Sequence, residues 1–249
     1  MNWNEEPQKE KYGSDMIPFK KQILVFVLGW LGFQVIAIII QLIAATFFSA
    51  LQGITPRQAI AQASVSMLIN ATAYIVLLVI LIVVTYTDIP KLLKSFKQWQ
   101  SLVAGAVCLI AIYAFDIFWG NVIRLIPTPV TDNVNQTAVA SLQSLYPITS
   151  IIIFGFVAPV CEEVTYRVGL FSLLKRKSRT LAYAVTIIVF TLIHSNFTVS
   201  NIFNEFMNLP YYAFAAFAFS YTYDHYGFAG SVTAHILNNL ISCLFAIFS

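Results

Sequence analysis

PVCEEVTYRVGLF, residues Pro159–Phe171, sets two adjacent carboxylates and an arginine inside a run otherwise suited to lipid. A charged side chain at the centre of a bilayer costs about 2.5–3.5 kcal/mol on insertion scales, so such residues are functional candidates by default. On a regular helix, residues four apart share a face and neighbours diverge by about 100°. Glu163 and Arg167 therefore pair along the helix and offset each other's charge. Glu162 shares its face with Tyr166 instead and is left free for chemistry. Pro159 removes one backbone hydrogen bond just upstream and bends the helix there.

The surrounding chain explains why this stretch is read as intramembrane. Of 249 residues, 59% are hydrophobic and only 10% charged, and the mean hydropathy is +0.77. A soluble domain carries roughly 25% charged residues, so this composition indicates an all-α, polytopic membrane helix bundle. Apolar runs near 22–50, 60–86, 101–124, 148–174, 180–196, 209–224 and 229–248 each reach or approach the roughly 20 residues that cross a bilayer. The expected count is seven transmembrane helices, with eight as the alternative, and 197–208 is a re-entrant or partly helical candidate. Residues 1–21 form a polar N-terminal segment, and 22–147 hold the first helices. "PKLLKSFKQW" (Pro90 to Trp99) reads as a short interfacial helix near 90–99.

Eleven of the 14 Lys and Arg residues fall on one side of these spans. The positive-inside rule then makes the N-terminus cytoplasmic. The net charge of +3 follows from that asymmetry and gives no reason to expect nucleic acid as a partner. Cys108, Cys161 and Cys243 all lie in spans and read as small buried hydrophobes rather than disulfide partners.

Two further polar clusters interrupt the lipid-like pattern. "FTLIHSN" carries His194, and "HILNN" carries His235 with Asn239 four residues on, Asn238 remaining a substitute for Asn239. The third histidine, His225, falls in an expected loop. At 1.5 Å per residue, Glu162 and His194 lie about 20 Å from the cytoplasmic ends of their spans, and Asn239 roughly 15 Å. His235 is about one turn shallower, which favours cytoplasmic access. All four can surround one cavity.

At these positions the sequence resembles the CPBP intramembrane proteases, a family that includes the type II CaaX prenyl endopeptidases and the Abi and bacteriocin-immunity proteins. "EEVTYR" matches their Glu-Glu-x-x-x-Arg signature. Phe190 and His194 match Phe-x-x-x-His, and His235 and Asn239 match His-x-x-x-Asn. The resemblance makes 148–249 the catalytic core. It implies that Glu162 and His194 activate water while His235 and Asn239 stabilise the oxyanion. It also implies that Glu163, Arg167, Phe190 and Tyr166 position them. The implied substrate is a membrane-associated or lipidated peptide or protein. The Lys/Arg pattern and small loops suggest a bacterial plasma membrane as the location.

A zinc reading uses Glu162, His194 and His235 as ligands. It is disfavoured because no His-Glu-x-x-His helix is present and adjacent glutamates diverge, so no cofactor is the favoured expectation. Two other functions use the same residues. A non-catalytic bacteriocin-immunity or regulatory protein would bind a peptide partner, and a transporter would add Asp116 to a proton path.

Overall fold

The computed structural model describes residues 17–248, and within them every element is helical. Lys9 and Lys11 of the expected cytoplasmic tail lie outside the described residues. Helix α1 runs from Phe19–Gln52, α2 is Pro56–Ala61 and α3 is Ala63–Thr85. The interfacial stretch forms a short α4, Ile89–Leu92, continued by a 3₁₀ turn at Leu93–Lys97. Then come α5 (Trp99–Ile123) and α6 (Val134–Leu145), α7 (Pro147–Lys175) and α8 (Arg179–Ile193). The last 47 helical residues, Ile202–Phe248, break at Gly227 into α9 (202–226) and α10 (228–248).

Five helices among the described residues are long and apolar enough to cross a membrane, the kinked Ile202–Phe248 counting as one. The expected fifth span is the 15-residue α8. The expected sixth and seventh are the two arms about Gly227. One span of the difference is the short α8, and the other arises at that glycine. Its φ of 77° and ψ of −174° suit a residue without a Cβ, so the chain turns on one residue rather than a loop. His225 correspondingly sits at the end of α9, where its Nδ1 donates to the Tyr221 carbonyl at 2.9 Å. Two backbone groups at the break are paired by side chains. Ser101 Oγ donates to the Tyr226 carbonyl at 2.7 Å, and the Ala229 amide donates to Ser95 Oγ at 3.0 Å. Gly227→Ala is expected to destabilise the protein by about 1–3 kcal/mol, the usual cost of a forced backbone conformation. Thermal unfolding in detergent checks this, and an unchanged midpoint contradicts it.

α5 lies against α9 and α10 at close range. A Cβ on Gly105 would meet the Gly230 carbonyl at 2.7 Å. Small residues that let backbones approach are the usual basis of helix packing in lipid, where apolar surface alone gives no drive to associate.

The lysine-rich end is tied by ion pairs. Lys21 and Lys91 both meet Asp88, at 2.6 and 3.2 Å. Lys175 and Arg179 meet Asp224 at 2.9 and 2.6 Å. Burial pushes the Asp88 carboxyl up, but hydrogen bonds and charge from Lys21 and Lys91 outweigh it and hold the group below its ordinary value. The clasp therefore contributes fully above about pH 4, the unfolded value. It is lost as pH falls through the lower folded value, an expectation that acid-dependent thermal midpoints of wild type and Asp88→Asn would test.

α7 departs from regular helix on either side of the adjacent glutamates. Ile151–Val157 and Glu163–Phe171 are wound as π-helix, separated by one α-helical turn at Ala158–Glu162. Pro159 acts as expected, with a specific consequence. The Ala158 amide bonds the Ile153 carbonyl five residues back, and Pro159 has no N–H. The Phe154 carbonyl therefore has no backbone donor.

Candidate active site

The freed Phe154 carbonyl is taken by α10. Asn239 Nδ2 donates to it at 2.9 Å, and Asn238 Nδ2 donates to Asn239 Oδ1 at 3.4 Å. Of the two asparagines, Asn239 is thus the one held by α7. One of its two amide hydrogens is committed, and the other remains for the cavity that Asn239 lines.

Glu163 and Arg167 pair as expected, Arg167 Nη1 lying 3.1 Å from Glu163 Oε1 with both side chains fully buried. The guanidinium is covered by rings, its Cζ 4.5 Å from the Phe190 centroid and 5.4 Å from that of Phe219. Such cation–π contacts stabilise a desolvated cation. Glu163 does more than pair. Its Oε1 lies 2.8 Å from His235 Nδ1, and Ser231 Oγ donates to its Oε2. Meanwhile Glu162 Oε2 faces the other ring nitrogen, 3.7 Å from His235 Nε2. The adjacent glutamates do diverge, and they reach opposite edges of one imidazole.

His194 completes the group. Its Nε2 lies 3.9 Å from the same Glu162 Oε2. Its Nδ1 is 2.7 Å from the Phe190 carbonyl, which only accepts, so the hydrogen sits on Nδ1. The same reasoning puts a hydrogen on His235 Nδ1, facing the Glu163 carboxylate. A neutral His194 then turns an Nε2 lone pair towards Glu162, and the Nε2 of His235 faces the same oxygen. Distances of 3.7 and 3.9 Å are too long for direct hydrogen bonds. A water oxygen lying beside these atoms in the cavity they line can bridge Glu162 to either imidazole.

Rings fix the imidazoles. His235 stacks on Phe219 at 4.4 Å and 19°, and His194 on Tyr212 at 5.0 Å and 20°. Phe190 lies beneath His194, centroids 4.5 Å apart. Tyr166 meets Phe190 edge-on at 5.6 Å and also lines the cavity.

Several residues were not singled out from the sequence. Tyr74 of α3 donates to Glu162 Oε1 at 3.2 Å, so the first helices contribute to the site. α6 was absent from the expected elements. Its signal was present in Asn133, a favoured N-cap residue, followed by apolar Val134, Ala138 and Leu142 at helical spacing. Asn133 Oδ1 accepts from the Gln136 amide at 2.7 Å and from Tyr212 at 3.2 Å. Its Nδ2 donates to the His194 carbonyl at 3.0 Å. Glu205, fully buried, accepts from the amides of Val134 and Asn196, both at 3.1 Å. These contacts hold the end of α8, and with it His194, against α6 and α9.

Asn133→Ala is expected to cost about 1 kcal/mol, the usual loss of a cap. It should also lower kcat about ten-fold through displacement of His194. Asn133→Asp keeps the Oδ1 acceptor but has no N–H for the His194 carbonyl. It should recover stability and not kcat, and equal recovery of both contradicts the positioning role.

The cavity between these residues has a volume of about 350 Å³. Its wall mixes aromatic rings with amides, including Gln34, Asn70, Gln136 and Asn238, and Glu162 is its only carboxylate among the described residues. Among the described residues no group of three or more His, Cys, Asp or Glu is set to hold an ion, whereas catalytic zinc takes three protein ligands at about 2.0–2.2 Å.

Residues 144–241 match the family model for Type II CAAX prenyl endopeptidase Rce1-like proteins. The match supports the resemblance to the CPBP proteases, and it contains all three motifs. No curated protein and no solved structure matches the chain.

Proposed function

We propose that this protein is an intramembrane endopeptidase that hydrolyses a peptide bond in a membrane-associated or lipidated peptide, using Glu162 as general base. The observation that carries the reading is the approach of both imidazole Nε2 atoms to Glu162 Oε2, at 3.9 and 3.7 Å. Water placed there gives one hydrogen to Glu162 and the other to His194 Nε2, which leaves an oxygen lone pair for the scissile carbonyl. As the water oxygen bonds to carbon, Glu162 takes the proton and the carbonyl oxygen becomes an oxyanion. When the intermediate collapses, Glu162 returns the proton to the departing amine, so the reaction consumes one water and no other reagent.

Asn239 donates its second amide hydrogen to the oxyanion, an arrangement that is preorganised because the first is fixed on the Phe154 carbonyl. His235 can donate from Nε2 only when it carries two protons. This differs from a neutral donor, and Glu163 supplies the reason it works. A carboxylate 2.8 Å from Nδ1 stabilises the imidazolium, as the buried acid does in a Ser-His-Asp triad. Metal-free catalysis accords with the donor geometry and remains part of this proposal.

An amide-rich cavity suits an extended peptide, whose main-chain N–H and C=O groups need partners inside the membrane. The bilayer is crossed seven times in this reading, counting α8 and both arms about Gly227, with the lysine-rich end in the cytoplasm. The test uses protein in nanodiscs with a quenched prenylated CaaX peptide and an unprenylated membrane-anchored peptide. Cleavage that disappears with Glu162→Gln supports the proposal. Peptide binding without cleavage by wild type overturns it and indicates a regulatory or immunity protein.

A further inference from the structure

A second cavity abuts the first. It has a volume of about 810 Å³ and lies between α5, α6, α9 and α10. Gln136, Gln143, Tyr212, Ala215, Asn238 and Ser242 line both spaces, so these residues form a common wall. From there the second cavity runs to Arg124, Val130 and Asp132 at the lysine-poor end. A route on this side is opposite to the cytoplasmic access favoured by the depth of His235.

The chemistry of this vestibule is that of a cation acceptor. Asp116 lines it, seven residues from the end of α5 and so about 10 Å inside the membrane by helical rise. Among the described residues Asp116 makes no hydrogen bond and no ion pair. A carboxylate at that depth is costly and is ordinarily paired. The other charges facing the space are Asp132 and Arg124, both at the exposed mouth. Arg124 stands eight residues along α5 from Asp116, about 12 Å by helical rise, beyond ion-pair reach. Two carboxylates against one guanidinium leave the vestibule negative.

We propose that this vestibule is a specificity subsite, in which Asp116 receives a basic side chain of a peptide that passes from it into the Glu162 cavity. That the cation belongs to a peptide rests on the hydrolase reading above. The negative vestibule itself does not. A substrate engaged here extends from the active site towards the lysine-poor end, with a lysine or arginine on the part that leaves the cavity on that side.

The test reads the vestibule without relying on catalysis. Ala140, which lines it, is replaced by cysteine in the full chain in nanodiscs, with the three native buried cysteines as background control. Its modification is timed with cationic aminoethyl and anionic sulfonatoethyl methanethiosulfonate, relative to a free thiol in solution. The cation-to-anion rate ratio should exceed that of the free thiol by about ten-fold. Asp116→Asn should bring it back to the free-thiol value. N-acetyl-lysine amide should slow modification, and N-acetyl-glutamine amide should not.

An equal ratio with and without Asp116 overturns the subsite. So does equal protection by the two amides, or by sodium or calcium chloride at the same ionic strength, which would mark an inorganic-cation site. The measurement is repeated in Glu162→Gln. A ratio preserved there while cleavage is absent from wild type separates failure of the hydrolase reading from failure of the vestibule. Once cleavage is measured, Asp116→Asn should lower kcat/KM about ten-fold more for a lysine-bearing peptide than for its glutamine counterpart.

Discussion

Glu162→Gln is expected to lower peptide cleavage by about 10²–10⁴-fold, the range usual for loss of a general base, while the protein stays folded. Glutamine is nearly isosteric with glutamate. It can still accept the Tyr74 hydrogen bond that Glu162 receives at 3.2 Å. What it lacks is the basicity to take a proton from water between Oε2 and the two Nε2 atoms. Unlike Glu163, Glu162 has no Arg or Lys ion pair among the described residues, so its removal leaves no orphaned charge. The thermal midpoint should therefore hold or rise, as it commonly does when a functional group is neutralised at a site built for activity rather than stability. Cleavage rates and midpoints measured on the same preparation check this. A loss of both together assigns Glu162 a structural role.

Arg167→Ala is expected to give the opposite profile, with a loss of about 3–5 kcal/mol, because it leaves Glu163 as an uncompensated buried charge. The size follows from the environment, since both partners are fully buried and bulk solvent does not screen the carboxylate that remains. Arg167→Lys should recover only part of it. An ammonium keeps the charge but not the planar face between Phe190 and Phe219. The double variant Arg167→Met, Glu163→Gln removes both charges and should regain most of the stability. Activity should remain low, since a neutral amide in place of the Glu163 carboxylate cannot hold the His235 imidazolium. Stability that returns together with activity contradicts the assignment of Glu163 to His235. Thermal unfolding and cleavage of the four proteins decide between these outcomes.

The membrane architecture and the gathering of the site were legible because charge is scarce in lipid. When Glu162, Glu163, Arg167, His194 and His235 are among the few ionisable residues in apolar runs, their convergence is nearly forced. The i, i+4 pairing of Glu163 with Arg167 was readable for the same reason, even though the segment is wound as π-helix. The link from Glu163 to His235 was not. It joins residues 72 positions apart, and no spacing rule reaches across elements.

Tyr74 and Asn133 were missed for a related reason. Both sit in parts of the chain with no charged motif, and a tyrosine or asparagine near a span end has many ordinary uses. The one-residue break at Gly227 also escaped notice. A glycine in a helical run signals a kink only when its dihedral angles are known, and the loop expected at 225–228 spread a sharp turn over several residues.

The central claim is that one carboxylate and two imidazoles share one reacting centre, Glu162 and His194 on the water and His235 on the oxyanion it forms. The most direct measurement is cleavage of the quenched peptide by Glu162→Gln, His194→Ala and His235→Ala, singly and combined. Groups that act as a unit are strongly non-additive, so the triple variant should be no slower than the slowest single one. Losses that multiply across the three, or wild-type rates in any single variant, would contradict the shared centre.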